Sequence, residues 1–253
     1  MTILKAVAIV LGVVAVLALY FVFLAGGWND YTDTDTSELD REQLFRITEQ
    51  LLADSEAWPA ELTADGVVVS SSLEPYPARA VRYSVEVEAD FETVIEYVRD
   101  ENYSGPGRRD KPEKDKYEVT LYQKDKEGRP YEWVRRSVHI SPPPGGNRDA
   151  VVMYFEDRPD PKTYRIAFQS IETIDGKGFP EVEGAVRFKV MPSIYKVEEK
   201  APGRILVRKV EGVDPRGSLS SAMNNYFISL MFFRSYMFEQ AKDMRATLGD
   251  AKG

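Results

Sequence analysis

The sequence predicts an α+β domain in which a curved antiparallel sheet wraps around a long C-terminal helix. One observation is a series of short β-type segments between Tyr117 and Val210, joined by turn residues and uninterrupted by any helix pattern. Connections this short join antiparallel strands, because a parallel connection needs a longer crossover. The other is a stretch of about 29 residues after Ser218 that contains neither Gly nor Pro and would form a helix of roughly 40 Å.

The first part of the domain supplies two helices and two strands. A capping-box-like spacing at 37–40 predicts the start of the first helix, and Trp58-Pro59 predicts its end. Two strands are expected at 67–70 and 80–89, and Asp90 is expected to cap a short helix from Phe91 to Asp100. The strands predicted after it are Tyr117–Lys124, Tyr131–Ile140, Ala150–Phe155, Tyr164–Ile171, Ala185–Val190, Ile194–Glu198 and Arg204–Val210.

The C-terminal helix is apolar on more than one side. Its main apolar stripe follows helical spacing and consists of Leu219, Met223, Tyr226, Leu230, Phe233, Met237, Ala241 and Met244. Further large apolar residues lie off this stripe, namely Phe227, Ile228, Met231, Phe232 and Phe238. A single core face does not need so many, so we expect a pocket or a membrane beside the first half of this helix.

Composition excludes several classes of function. The chain of 253 residues has a net charge of −8, which argues against a nucleic-acid partner. It contains no cysteine, which removes disulfides, thiol catalysis and Cys-based zinc sites, and His139 is its one histidine. No Gly-x-Ser-x-Gly motif supplies a nucleophile. We therefore expect no catalytic residue, no metal and no cofactor.

The N-terminus carries a membrane-spanning pattern. Residues 6–25 contain no charge and would cross about 30 Å as a helix. Lys5 precedes this run and acidic residues follow it, which predicts a single-pass anchor with the C-terminal domain outside the cytoplasm, periplasmic in a bacterium. The alternative is a signal peptide cleaved near Ala25, followed by secretion. The domain plan is an anchor at 1–25, a linker at 26–36, a folded domain at 37–248 and a tail at 249–253.

Four segments together resemble the StAR-related lipid-transfer (START) family of the helix-grip, or SRPBCC, superfamily. They are Trp58 with Gly66-Val67-Val68-Val69; Pro144-Gly145-Gly146-Asn147-Arg148-Asp149; Ser170-Ile171-Glu172 with Gly184-Ala185-Val186-Arg187; and Val213-Asp214-Pro215-Arg216-Gly217-Ser218-Leu219 with Asn224 or Asn225 after it. The resemblance covers 37–248. It implies a tunnel between sheet and closing helix that holds one lipid, sterol or phospholipid, with no catalysis.

The resemblance also suggests which residues would line the tunnel. The residues expected to contact lipid are Trp133, Arg135, Tyr154, Phe168, Phe188, Met223, Tyr226, Phe227, Leu230 and Phe233. Sterol-carrying members have an acid–base pair in the tunnel, and the corresponding positions here are Arg135 and Tyr154, which do not match it. A sterol ligand is therefore in doubt, whereas lipid as the class is retained.

Other polar residues have simpler interpretations. Arg135 and Arg136 are neighbours on one strand, so their side chains should lie on opposite faces. Glu156-Asp157 and Asp160 are interpreted as a solvated acidic hairpin rather than a metal site. The loop 176–180, with Phe179 as an exposed aromatic, is an ordinary connection or a membrane-touching tip.

The sequence therefore predicts a membrane-anchored lipid-binding or lipid-transfer protein. Its partners would be the lipid, the membrane through residues 6–25, and a transporter or acceptor protein. Two alternatives stay open: a helix-grip enzyme of the polyketide cyclase/aromatase type, and a lipid sensor that docks on a membrane protein.

If the closing helix forms one wall of the tunnel, replacing Met223 or Leu230 with Trp should block uptake of a fluorescent lipid. The larger ring would occupy the ligand's space, and circular dichroism should show a folded domain. Undiminished lipid binding by both variants would argue against this helix as a wall.

Overall fold

The computed structural model describes residues 39–72, 80–103, 115–124, 130–139, 147–174, 176–214, 216 and 233–249. The helices are α1 (Arg41–Asp54), α2 (Phe91–Tyr103) and α3 (Arg234–Gly249). The strands are β1 (Ala60–Ala64), β2 (Val67–Ser72), β3 (Ala80–Val87), β4 (Asp115–Lys124), β5 (Pro130–His139), β6 (Asn147–Asp160), β7 (Thr163–Ser170), β8 (Thr173–Ile174), β9 (Lys177–Gly178), β10 (Ala185–Arg187), β11 (Lys189–Val190), β12 (Ser193–Ala201) and β13 (Arg204–Asp214).

A single large sheet holds most of these strands. Its order is β1-β2-β3-β13-β12-β7-β6-β5-β4, and every neighbouring pair along this path is antiparallel. The predicted α+β class with a large antiparallel sheet and a C-terminal helix is thus confirmed. The sheet is not antiparallel throughout, because β10 lies parallel to the start of β6, with Ala185 opposite Asn147.

Both faces of the sheet are covered, and different helices cover them. On the outer face, Leu51 and Leu52 of α1 pack against Ala80, Ile194 and Val210. On the inner face, apolar residues of α2 and α3 join those of the strands in the largest core cluster. The main members from α2 and α3 are Phe91, Val94, Ile95, Tyr97, Val98, Met237, Ala241, Met244 and Leu248.

The helices α2 and α3 also contact each other. The hydroxyl of Tyr97 donates a hydrogen bond to Oδ2 of Asp243 at 3.2 Å. The predicted cap of α2 is confirmed, since Oδ2 of Asp90 accepts from the backbone N–H groups of Glu92 and Thr93. Residues 217–232, the first half of the predicted closing helix, lie outside the described residues, and α3 corresponds to its second half.

Two local predictions were wrong. The capping box of α1 is formed by Asp40 and Gln43, later than the spacing at 37–40 suggested, and Ser37 lies outside the described residues. The strand β1 was missed, because its Ala-Glu-Leu-Thr-Ala sequence shows no clean apolar alternation. An Asp65-Gly66 turn with positive φ at both residues (51° and 71°) joins it to β2, as is typical of tight hairpins.

Within the described residues, no helix is long and apolar enough to cross a bilayer. The segment 6–25, which the sequence predicts as an anchor, lies outside them, so the anchor stays a prediction.

A buried carboxylate attaches the parallel strand β10 to the sheet. Asp149 is fully buried; its Oδ2 accepts a hydrogen bond from Nε of Arg187 at 3.0 Å, and Nε of Arg136 lies 3.4 Å from its Oδ1. Both arginines also donate to the carbonyl oxygen of Pro180. This explains two of the segments that resembled the START family, since Asn147-Arg148-Asp149 and Gly184-Ala185-Val186-Arg187 lie side by side and share the Asp149–Arg187 ion pair.

Replacing Asp149 with Asn should therefore lower the free energy of unfolding by about 3 kcal/mol, because it leaves two partly buried arginines without their counter-charge. Urea unfolding followed by circular dichroism measures this change. The matched control is Glu92→Gln, which removes the exposed ion pair with Arg158 and should change stability by less than about 1 kcal/mol. Equal effects from the two substitutions would contradict a structural role for Asp149.

Candidate functional site

The inner face of the sheet carries a row of aromatic rings across β5, β6, β7 and β12. Trp133 stacks on Tyr154 with ring centroids 5.3 Å apart and an interplanar angle of 2°. Tyr154 stacks in turn on Phe168 at 5.3 Å, and Phe168 lies 6.1 Å from Tyr195. All four rings are buried, with exposed fractions of 3% or less. We refer to these four residues as the aromatic row.

Strand register produces this row from residues that are distant in sequence. Trp133 lies directly opposite Tyr154, and Tyr154 lies opposite Phe168. Facing side chains on neighbouring antiparallel strands are close enough for their rings to touch. Three of the residues expected to contact the ligand are thus brought together by pairing alone.

The two adjacent arginines lie on opposite faces, as alternation predicted. Arg136 is on the outer face with Asp149, whereas the guanidinium of Arg135 lies 5.1 Å from the ring centroid of Tyr154 on the inner face. A cation at this distance is attracted by the electron-rich face of the ring. Arg135 therefore borders the aromatic row at the β5 side.

A lysine borders the row on its other side. Lys209 of β13 is 4% exposed, and its Nζ lies 4.7 Å from the ring centroid of Tyr195 and 5.9 Å from that of Phe168. Nζ donates a hydrogen bond to Oε1 of Gln240 on α3 at 3.1 Å and forms an ion pair with Oε2 of Glu211 at 2.6 Å. Lys209 thus connects the sheet, the aromatic row and the closing helix.

Further polar residues continue from Lys209 toward β1. Glu211 lies opposite Val81 of β3, and Val81 lies opposite Ser71 of β2. The hydroxyl of Ser71 donates to Oε1 of Glu61, whose Oε2 lies 3.7 Å from Nη1 of Arg234 on α3. We call Lys209, Glu211, Glu61 and Arg234, with Ser71 and Gln240, the polar cluster. The inner face therefore carries the polar cluster beside the aromatic row, among buried apolar residues of β2, β3 and β13.

An ion pair joins α2 to the inner face of the sheet. Arg99 of α2 donates from Nε to Oε2 of Glu156 on β6 at 2.9 Å. The hydroxyl of Tyr164 is fully buried nearby, and burial together with the charge of Glu156 raises its pKa well above the usual value. Tyr164 therefore stays neutral over the physiological range, and the pair Arg99–Glu156 holds α2 against the sheet.

The remaining sequence-predicted site residues are only partly located. Phe188 and Phe233 are partly buried and pack against the same core cluster as the aromatic row. Met223, Tyr226, Phe227 and Leu230 lie outside the described residues.

Sequence reasoning missed the polar cluster, although one signal was available. Along β13, Ile205 and Val207 face inward, so Lys209 and Glu211, at the same parity, must face inward too. The signal was weak because Leu206 and Val210 make the outer face of this strand apolar as well.

Two minor interpretations change. Phe179 is not an exposed tip but is partly buried against the cluster of Val134, Val151 and Ile171 on the outer face. Glu156 and Asp157 are not simply solvated, because Glu156 pairs with Arg99 and Asp157 with Arg165.

A groove of about 580 Å³ also lies on the outer face, between α1 and the sheet. Its walls include Phe45, with the guanidinium of Arg165 stacked over its ring at 4.4 Å, and Asp157, which pairs with Arg165. These groups bind one another across the groove. It therefore belongs to the packing of α1 and is separated from the aromatic row by the sheet.

The fold is similar to several solved structures. Human StAR-related lipid transfer protein 5 matches with a TM-score of 0.65 and 19% identity over 84% of this chain and 96% of its own. Human STARD10 matches at 0.61 and 17% identity, over 85% and 82%. A STAR-related lipid transfer protein from Xanthomonas axonopodis matches at 0.58 and 20% identity, over 76% and 98%. No protein-family model matches the sequence, and no curated protein matches it.

Replacing Tyr154 with Ala should lower the free energy of unfolding by about 3 kcal/mol, because the ring is buried between Trp133 and Phe168. The near-ultraviolet circular dichroism should also lose intensity as the stacked rings separate. Tyr236→Ala is the control, since Tyr236 is 45% exposed, and it should cost less than about 1 kcal/mol. If the two substitutions cost the same, the row is not a packed unit.

Proposed function

We propose that this chain, which has the fold of the START domains, binds one lipid between the inner face of its sheet and its C-terminal helix. The proteins with the matching fold are named as lipid-transfer proteins, which supports the same class of ligand here. The observation that carries the proposal is the two-part inner face, where an aromatic row lies next to a polar cluster under α3.

This division fits an amphiphile. The stacked rings of Trp133, Tyr154 and Phe168 form a continuous apolar layer, against which a lipid chain or ring system would pack on entering beneath α3. The polar cluster offers hydrogen-bonding groups to the other end of the same molecule. Binding and release would complete the task, and the proposal includes no chemical step.

The proposal extends to location. Residues 6–25 would anchor the protein in a membrane, with the domain on the extracytoplasmic side, and cleavage after a signal peptide is the alternative. The linker 26–36 would reach roughly 20 Å as a random coil, so the domain would stay close to the bilayer that supplies its lipid. A transporter or acceptor protein would then receive the lipid.

Native mass spectrometry of the full chain, purified in detergent, tests lipid binding directly. We expect one lipid per protein, together with a folded apo form after delipidation. A protein that stays empty when offered membrane lipids, and that turns over an aromatic polyketide instead, would contradict the proposal in favour of an enzyme.

The variant Val152→Trp sharpens this test. Val152 is buried on the inner face opposite Arg135, so the added ring would fill ligand space if a tunnel opens there. We expect the variant to fold and to lose its lipid. The control is Val186→Trp at an exposed position of β10, which should keep the lipid. Unfolding of Val152→Trp, rather than loss of lipid, would indicate a solid core.

A further inference from the structure

The helix α1 covers only part of the outer face. At its start, Nη2 of Arg41 donates a hydrogen bond to the carbonyl oxygen of Glu156 on β6 at 2.8 Å. Just after its end, the carbonyl oxygen of Ser55 accepts one from Nη1 of Arg82 on β3 at 3.0 Å. The helix therefore crosses the sheet from β6 over β7, β12 and β13 to β3. The outer face of β5 and β4 lies beyond the first residue of α1.

The chain enters the domain at this boundary. Leu39 is the first residue that the structure describes, and it packs against the cluster that contains Phe155 of β6 and Ala167 of β7. The side chain of Gln169 on β7 donates from Nε2 to the carbonyl oxygen of Leu39 at 3.3 Å. The residues before Leu39 therefore start from a point on the outer face between α1 and the strands that α1 leaves uncovered.

Gln169 has an unused hydrogen-bond acceptor beside this point. Its side chain is only 2% exposed. Because a carbonyl oxygen accepts and cannot donate, the amide nitrogen of Gln169 must face Leu39, and Oε1 is directed elsewhere. Oε1 is buried and accepts no hydrogen bond from any residue that the structure describes. A buried acceptor without a donor is costly, so a donor from the adjoining chain would stabilise this arrangement.

A path leads from Gln169 across the outer face to the edge of the sheet. Met153 lies opposite Gln169, and Val134 lies opposite Met153. Thr120 of the edge strand β4 lies opposite Val134 and is exposed. Met153 is partly buried, and it packs both against the cluster that contains Leu39 and against the cluster that contains Val134. Two strand spacings separate β6 from β4, about 10 Å, which three extended residues can span.

From these observations we propose that residues 36–38 dock as an extended strap on the outer face of β6, β5 and β4 and donate a hydrogen bond to Oε1 of Gln169. The docking partner of this surface is thus a segment of the same chain, Thr36-Ser37-Glu38. Side chains of an extended segment alternate, so Ser37, two residues before Leu39, faces the sheet. Its hydroxyl and the backbone N–H groups of the strap are the donors available to Gln169. Capping of α1 leaves Ser37 free for this task, because Asp40 is the cap.

The strap would fix the place at which the domain is attached to the preceding chain. The flexible part of the linker would end near Asp35, beside β4, rather than at the start of α1. The domain would then keep the outer face of β4 and β5 toward the N-terminal segment. The inference does not depend on lipid binding. It applies equally to an anchored chain and to a chain cleaved near Ala25, since both retain residues 36–38.

Disulfide formation between introduced cysteines tests the path of the strap, because the chain has no cysteine of its own. The full chain in detergent carries Thr36→Cys together with Thr120→Cys, and non-reducing electrophoresis follows cross-linking under mild oxidation. The control pairs Thr36→Cys with Arg46→Cys, since Arg46 is exposed on the groove beside α1. Arg46 lies about 10 Å from the start of α1, a distance similar to that between β6 and β4.

We expect the pair with Thr120 to cross-link at least about tenfold faster than the pair with Arg46, because docking raises the effective concentration of one thiol beside the other. Equal rates would mean that the segment before Leu39 is unattached. Faster reaction with Arg46 would place it in the groove beside α1, and no cross-link in either pair would mean that it projects away from the sheet. Each of these three results overturns the proposal.

A substitution at Gln169 tests the hydrogen bond that would hold the strap. Gln169→Leu removes the acceptor at nearly constant size, and it should slow cross-linking of the Thr120 pair to the rate of the Arg46 pair. Gln50→Leu, the same change at an exposed position of α1, should leave the rate unaltered. An unaltered rate in a folded Gln169→Leu variant contradicts the proposal. If circular dichroism shows that this variant does not fold, the comparison of the two cysteine pairs decides by itself.

Discussion

The structure depends on one constraint: side chains alternate across a sheet that is covered on both faces. Each strand therefore divides its residues between α1 on one side and the space beneath α2 and α3 on the other. Where a helix covers the sheet, a charged residue of a central strand does not point into water. It must find a partner, and the partners found on the two faces differ in kind.

On the outer face, buried charge fixes the architecture. Asp149 holds Arg136 and Arg187, and through them the backbone of the loop before β10. Removing one partner of such a group leaves the other charge buried without its counter-charge, which destabilises the fold. On the inner face the charges occupy a different setting, because they adjoin aromatic rings and the closing helix. There Lys209 pairs with Glu211, donates to Gln240 of α3 and lies against the ring of Tyr195.

Much of the fold could be predicted from the sequence because its signals are local. Alternation between Ala80 and Val87 and the cap at Asp90 depend on neighbouring residues, and both are present as expected. The strand β1 could not be predicted, because its pairing with β2 stabilises a segment whose own pattern is weak. The parallel pairing of β10 with β6 was missed for a different reason, because it joins segments that are far apart in the chain.

The sequence by itself determined the order of the main helices and long strands, the opposite faces of Arg135 and Arg136, and the apolar character of the closing helix, because the periodicity of each segment depends on that segment alone. Only the tertiary structure decided which residues meet. It stacked Trp133, Tyr154 and Phe168 through the register of three strands, and it placed Lys209 against Gln240 and the ring of Tyr195. Register is a property of pairs of strands, and a single strand's pattern fixes the face of a side chain but not its neighbour.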